Sequence, residues 1–473
     1  MFKNLATVTL PGLALCLLFS CSSKKNTANS ETASTDSEAT AGSIKLITLD
    51  PGHFHAALVQ KTMLSQVDPT VHVYAPAGED VQEHLKKIEA YNNRPEDPTQ
   101  WKETVYTGPD YLQKLVAEKK GNVVVMAGNN ARKTEYIKTA VEAGFNVLAD
   151  KPMAINTQDF TQLKEAFATA KEKNILLYDI MTERFEITTM LQREFSQLPE
   201  VFGELQKGTA ADPAITKESV HHFFKYVSGA PIKRPAWFFD VTQQGEGIVD
   251  VTTHLVDLVQ WECYPEQIID YNKDITINSA RHWKTTLSPS QFKKVTSLTS
   301  YPEFLQEGVE KDSMLGVYAN GEINYQLKGT HAKVSVIWNY EAPEGAGDTH
   351  FSIMKGTKAN LVIRQGKEQN YKPQLYIEPA KGTDLKAFET SLKNSLAKIQ
   401  ANYPGVEVKQ FKDGWQVEVP EKYHNGHEAH FGQVMERYLK YVGEGKLPEW
   451  EVPNMLAKYY TTTKALEMAR GAK

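Results

Sequence analysis

Cysteine is scarce in this chain: Cys16, Cys21 and Cys263 are the three among 473 residues, too few for a disulfide framework. An excess of one charge is missing as well. A formal net charge of −5 and an isoelectric point near 6.3 provide no global field to draw in nucleic acid or acidic membranes. The sequence carries no P-loop, no Ser-His-Asp signature, no nucleic-acid module, no twin arginine near its start and no internal repeat. Those absences argue against phosphate-loop, serine-hydrolase and nucleic-acid functions. What is present, 41% apolar, 23% charged and 10% aromatic residues, excludes a mainly disordered, collagenous or fibrous chain. The length predicts two or three domains with a sizeable core.

The start of the chain reads as an address. Lys3 precedes an apolar run over 5–19, too short for a spanning anchor and patterned like the first two regions of an export signal. The run ends in Leu18-Phe19-Ser20-Cys21, which resembles a bacterial lipobox. That resemblance implies lipidation of Cys21 through its sulfur, with Cys21 as the mature N-terminus. Residues 22–42 hold no Leu, Ile, Val or aromatic side chain and read as a flexible tether. The expectation is a signal peptide over 1–21, a tether over 22–42 and a globular body membrane-anchored by lipid in the bacterial cell envelope. Without twin arginines the chain is expected to cross unfolded and to acquire any cofactor afterwards. Cys263 would then lack a partner, leaving the body to be held by its core.

Within the body, β-branched strand signals at 44–49, 71–74, 122–126, 146–149 and 175–178 alternate with helical patterns at 54–64, 81–91, 133–143 and 159–173. Gly144 stands at a helix-closing position. Uninterrupted alternation of this kind predicts right-handed βαβ units and a doubly wound parallel sheet, a Rossmann-like α/β domain over 43–180. Beyond about residue 200 the texture changes to alternating strands at 333–338, 351–355, 359–364 and 374–378. A hairpin over 406–411 and 415–419 turns at Asp413-Gly414. Two helices follow, one with Phe431, Val434, Met435, Tyr438 and Leu439 on its core face, the other over 453–470. Residues 181–473 are therefore expected to form an α+β domain with a largely antiparallel sheet, in which 366–421 reads as an insertion.

Ligands of a doubly wound sheet bind beyond the carboxyl ends of its strands. The residues at those ends are Asp50-Pro51-Gly52-His53-Phe54-His55, Ala127-Gly128-Asn129-Asn130 and Asp150-Lys151-Pro152. A lysine at the crevice rim, followed by a proline that restricts its backbone, suits the polarisation of an oxygen. Gly144-Phe-Asn-Val-Leu-Ala-Asp150-Lys151-Pro152 resembles the G-x-x-V-x-x-E-K-P signature of the glucose–fructose oxidoreductase/inositol dehydrogenase/MocA (Gfo/Idh/MocA) family. Asn130 is similar to the asparagine of that family's T-P-N turn. Glu183-Arg184-Phe185 and Phe202-Gly203-Glu204-Leu205 match its later segments in order, and Gly245-Glu-Gly-Ile-Val-Asp250-Val-Thr-Thr-His254-Leu-Val-Asp257 matches its G-G-x-L-x-D-x-x-x-H-x-x-D helix. The resemblance covers about 44–365.

It implies an enzyme that oxidises a CH–OH group of a sugar or cyclitol with a nicotinamide dinucleotide, NAD or NADP. Lys151 would polarise the oxygen, His254 would act as general base and Asp250, four residues before His254 on the same helical face, would orient the pair. Gly52, His53, Phe54, His55, Asn129, Asn130, Asp150, Lys151 and Pro152 are the expected cofactor contacts. The chain departs from the family at the first turn, where Asp50-Pro51-Gly52-His53-Phe54-His55 replaces G-x-G-x-x-G and keeps only the middle glycine. The second strand lacks its usual acid, Glu79 and Asp80 coming several residues late, and Asp50 could cap the first helix. Two other readings stay open: a glycosidase or lyase with transient redox at a bound nicotinamide, and a carbohydrate-binding lipoprotein without a working cofactor site.

His221, His222, Lys225, Arg234 and Trp237, in an aromatic-rich stretch before the Asp250 helix, read as a sugar-binding platform or as core under the sheet. His424, His427 and His430 recur every third residue, but Asn425-Gly426 interrupts the run and no metal site is assigned. A small-molecule substrate, a membrane reached through a lipid and a homo-oligomer through the C-terminal sheet are the expected partners, with no nucleic acid.

Overall fold

The computed structural model describes residues 40–471 apart from 228–229, 345 and 413. The export signal, Cys16, Cys21, most of the tether and Asp413 of the expected hairpin turn lie outside the described residues.

The first sheet has six parallel strands: β1 (Leu46–Leu49), β2 (Thr70–Tyr74), β3 (Lys102–Tyr106), β4 (Val123–Met126), β5 (Asn146–Asp150) and β6 (Leu177–Ile180). Their spatial order is β3-β2-β1-β4-β5-β6, the doubly wound order of a Rossmann sheet. β1 and β4 are buried along their whole length because helices cover both faces, hence their continuous apolar sequence. The covering helices are α1 (His55–Leu58), α2 (Glu79–Asn93), α3 (Tyr111–Glu118), α4 (Lys133–Glu142) and α5 (Thr157–Lys173). α5 begins where the Asn156 side chain accepts from the Asp159 amide, and it closes at left-handed Asn174.

Three elements of this half differ from expectation, one of them α3, for which no helical pattern was read. β3 was not anticipated: it is an edge strand whose residues are mostly exposed, so Lys102, Glu103 and Thr104 replace the apolar run of a buried strand. The helix expected over 54–64 is a single turn. Beyond it the Gln60 carbonyl accepts from Trp101 Nε1 at 2.6 Å and the Lys61 carbonyl from Arg94 at 2.8 Å. Long-range donors thus satisfy carbonyls that a continued helix would have used.

The second sheet is mixed and nine-stranded. Its members are β7 (Ile215–Phe224), β10 (Ile275–Leu287), β11 (Leu315–Leu327), β12 (Thr330–Glu341), β13 (Thr349–Lys355), β14 (Ala359–Arg364), β15 (Gln374–Pro379), β16 (Glu407–Phe411) and β17 (Gly414–Glu418). A small ribbon, β8 (Tyr226–Val227) and β9 (Ala230–Pro231), lies apart from it. The order β10-β11-β12-β7-β13-β14-β15-β17-β16 is antiparallel except where β12 meets β7. Residues 366–421 supply one edge of this sheet together with a helix packed on it. The helices of this half are α6 (Ile187–Ser196), α7 (Thr252–Cys263), α8 (Pro289–Thr296), α9 (Leu385–Asn402), α10 (His427–Glu444) and α11 (Glu451–Gly471).

The chain returns at its end. Phe431, Val434, Met435, Tyr438 and Leu439 of α10, with Met455 and Tyr459 of α11, pack into the core of the first sheet. Beneath them a buried ionic network ties both halves together. Arg184 holds Asp257 through two bonds of 2.7 Å and also Glu451, while Lys458 bridges Asp257 at 2.8 Å and Asp179 at 2.7 Å. Among the described residues no helix is long and apolar enough to cross a membrane.

Candidate active site

The strand order reverses between β1 and β4, which opens a crevice past their carboxyl ends. Gly128, after β4, is there because only a glycine fits: a Cβ would stand 2.3 Å from the Asp50 carbonyl oxygen and 2.8 Å from the Gly52 nitrogen. Asp50 adopts a φ of +48° and does not cap α1; its carboxylate accepts from Tyr136 Oη at 2.8 Å. Gly52 faces the C-terminal half. A Cβ on it would lie 3.1 Å from Asp80 Oδ2 and 3.3 Å from the Trp237 ring. Trp237 Nε1 donates to Asp80 at 2.9 Å, and burial pushes the Asp80 carboxyl up to about 6. Asp80, late in sequence for the usual acid, still reaches the crevice, and Trp237 stands over its floor instead of on a separate sugar platform.

At the next strand end, Asp150 is buried and accepts from His55 Nδ1 at 2.9 Å. Its backbone carbonyl accepts from Lys133 at 3.1 Å, and Lys133 also donates to the Asn130 side chain. Burial lowers Lys133 to about 8. The Lys151–Pro152 peptide is cis. Lys151 Nζ donates to Asp250 Oδ1 at 2.6 Å, and Gln244 donates to the other carboxylate oxygen at 3.0 Å. Burial alone would lower the Lys151 ammonium, but the Asp250 and Asp150 carboxylates outweigh it and hold it above its ordinary value.

Of the pair that Asp250 was expected to orient, it holds Lys151: the residue precedes α7, and its two oxygens accept from Lys151 and Gln244. His254 sits in the first turn of α7, and its Nδ1 is buried without a hydrogen-bond partner. Burial, then the Lys151 charge, keep the imidazole well below its usual pKa and therefore neutral.

The expected substrate residues divide. His221 Nδ1 at 2.8 Å, His222 Nδ1 at 3.3 Å and the Lys225 ammonium converge on Asp348, while the His221 ring stacks on Trp338 with centroids 5.0 Å apart. Arg234 belongs to the support of this cluster. It is buried and donates to the Phe223 and His222 carbonyls at 2.9 and 3.0 Å, with Phe238 against its guanidinium. Of the three histidines near the C-terminus, His424 is exposed, His430 is buried, and His427 lies 5.9 Å from the His55 ring and 3.6 Å from Glu183. Burial and neighbouring Glu186 push Glu183 up to about 7.

Several contributors escape sequence reading because long-range contacts bring them in. Gln243 pairs through its side chain with Asn129 at 2.6 Å and through its carbonyl with the Asn130 amide at 2.9 Å, and the Gln244 carbonyl accepts from the Asn130 side chain at 2.7 Å. Asp348 is also of this kind. The one hint was that Gln243-Gln244 abuts the Gly245 motif.

Residues 50–178 match the family profile described as "Oxidoreductase family, NAD-binding Rossmann fold", that of Gfo/Idh/MocA, and 191–470 match "Putative oxidoreductase C terminal domain". The chain belongs to the Gfo/Idh/MocA oxidoreductase family. A crystal structure titled "putative oxidoreductase" from Parabacteroides merdae shares 64% identity over 92% of this chain and 99% of that one, with a TM-score of 0.90. At 13% identity, where the likeness concerns the fold alone, a Thermotoga maritima "putative oxidoreductase" covers 91% of this chain and 99% of its own at a TM-score of 0.58. A levoglucosan dehydrogenase complexed with NADH covers 90% and 97%, also at 13% identity and 0.58. No curated protein matches the sequence. As a Gfo/Idh/MocA member the chain is an NAD(P)-dependent oxidoreductase with an NAD-binding Rossmann domain. The crevice fits that cofactor on its own geometry: Gly128 admits no Cβ and Gly52 only a tight one, and a charged lysine and a neutral histidine with an unpartnered buried nitrogen stand near one another.

Proposed function

We propose that this oxidoreductase acts on the CH–OH group of a sugar or cyclitol, in the crevice between its two sheets. The observation that carries the reading is the Lys151–Asp250 pair beside His254. A fixed cation and a neutral base at one crevice end are what deprotonation of an alcohol requires. Lys151, kept charged by Asp250, donates to the substrate oxygen and stabilises the alkoxide that develops there. His254 takes the hydroxyl proton on its imidazole. Gln244 and Asp250 hold the ammonium in position. Gly52, Asn129, Asn130 and the Asp150-Lys151-Pro152 turn would hold the dinucleotide, whose nicotinamide supplies the hydride acceptor. The cluster of His221, His222 and Lys225 on Asp348, walled by Trp338, offers donors and an aromatic face suited to sugar hydroxyls. That a levoglucosan dehydrogenase shares this fold supports the substrate class.

Incubating the purified chain with NAD or NADP and a panel of aldoses, anhydrosugars and cyclitols tests this reading. A stoichiometric keto product with reduced cofactor is expected. Redox-neutral cleavage products would replace dehydrogenation by an elimination chemistry, and no change in any sugar would overturn the reading. The same proposal places the enzyme in the bacterial envelope, tethered through a lipid on Cys21, and assigns homo-oligomer contact to the nine-stranded sheet.

A further inference from the structure

The loop after β1 and the end of β5 bring together two imidazoles and a carboxylate that take no part in the proton transfer of the proposed oxidation. One ligand atom each from His53, His55 and Asp150 can be chosen so that all three lie within 4.8 Å of one another. His55 and Asp150 are buried, and their paired atoms are 2.9 Å apart. The rings of His53 and His55 meet edge to face with centroids 3.9 Å apart. The supports are firm: Asp150 is the last residue of β5, His55 opens α1, and Phe431 packs on the His55 ring at 4.4 Å.

A hydrogen-bonded His–Asp pair alone would not call for a second imidazole at the same point. Nor would a glycine-type pyrophosphate turn, which works through backbone amides. Two imidazoles and a carboxylate are instead the donors of a divalent transition ion with positions left open. On tetrahedral zinc such donors stand roughly 3.3 Å apart, given metal–nitrogen distances of about 2.0–2.1 Å. His53 is the least buried of the three, and its ring is held by one long bond, its Nδ1 accepting from the His55 amide at 3.4 Å. The two nearby cations are already engaged, Lys151 by Asp250 and Lys133 by Asn130 and the Asp150 carbonyl. His427, with its ring 5.9 Å from that of His55, is a further imidazole at the same opening.

We infer that His53, His55 and Asp150 form a binding site for a divalent transition ion of the zinc class, with water completing its shell. The ion would sit where the family's glycine turn has been replaced, which gives the two histidines a common purpose. The ion is held by protein donors alone, so its binding is read without dinucleotide or sugar, although Asp150 belongs to the turn proposed above to hold the dinucleotide.

The test uses the full chain without an affinity tag, stripped by chelator and titrated with Co²⁺ and then Zn²⁺. One Co²⁺ per chain is expected, with a visible d–d band that one equivalent of Zn²⁺ displaces. His53→Gln and Asp150→Asn should each weaken Co²⁺ binding by about 100-fold or more. His424→Ala, at an exposed position, should leave it unchanged. Thermal midpoints measured in chelator identify any variant that fails to fold, and His55→Gln then takes its place. Absence of stoichiometric binding, or binding that folded His53 and Asp150 variants retain, would overturn the site. So would binding lost in His424→Ala.

Discussion

At the scale of single residues, the chemistry rests on Lys151 and His254, and the structure redistributes the work around them. The motif Asp150-Lys151-Pro152 and the Asp250/His254 spacing were legible in the sequence because they are local. That Asp250 serves Lys151 came from the resemblance alone, because no local pattern shows a contact between residues 99 positions apart. Lys151→Met should lower kcat/KM by about 10³-fold or more with an unchanged thermal midpoint, as expected for loss of a charge aimed at a developing oxyanion. Steady-state kinetics beside a melting curve checks this. Asp250→Asn should lower kcat while keeping the fold, since Gln244 still has an oxygen to meet. Gly128→Ala is a different case. Its new Cβ would strike the Asp50 carbonyl at 2.3 Å, and a stability loss of about 1–3 kcal/mol is expected in urea unfolding.

At the scale of elements, the buried strands and long helices of the first sheet were legible from apolar runs and period, and β3 was not. Its exposure removes the pattern that would announce it. β7 and β11 also went unread although none of their residues is exposed, and β10 was missed for a reason related to that of β3. Much of β10 is exposed, and no run of apolar residues marks its 13 positions. α7 shows how one element serves two tasks: His254 lies within the influence of the Lys151 charge, and Asp257 one turn later anchors the network with Arg184 and Lys458. Burial alone would raise the Asp257 pKa, but those two cations outweigh it and hold the carboxyl well below its ordinary value. A depressed folded-state pKa contributes stability that is complete above the unfolded value, about 4, and is lost as pH falls below it. Thermal midpoints should therefore drop below about pH 4 more steeply in the wild type than in Asp257→Asn. That variant leaves Arg184 on Glu451 and Lys458 on Asp179 but loses the charged hydrogen bonds both make to Asp257, and should be about 1.5–3 kcal/mol less stable at neutral pH.

At the scale of the whole molecule, the two-sheet plan followed from where strand–helix alternation gives way to alternating strands. The return of α10 and α11 onto the first core did not, since nothing local marks which sheet a C-terminal helix will cover. The leading segment makes a separate expectation. Cys21→Ser should move the expressed protein from the detergent phase to the aqueous phase in a phase-partition assay, and equal partition of both forms would refute the lipid tether. The central claim is alcohol oxidation driven by the Lys151 and His254 pair. It is tested most directly by following absorbance at 340 nm when enzyme and NAD or NADP meet a sugar or cyclitol deuterated at the reacting carbon. The account predicts reduced cofactor, slowed by deuterium, and abolished in Lys151→Met and His254→Ala. A rise at 340 nm that survives both substitutions, or none with any member of the panel, would contradict it.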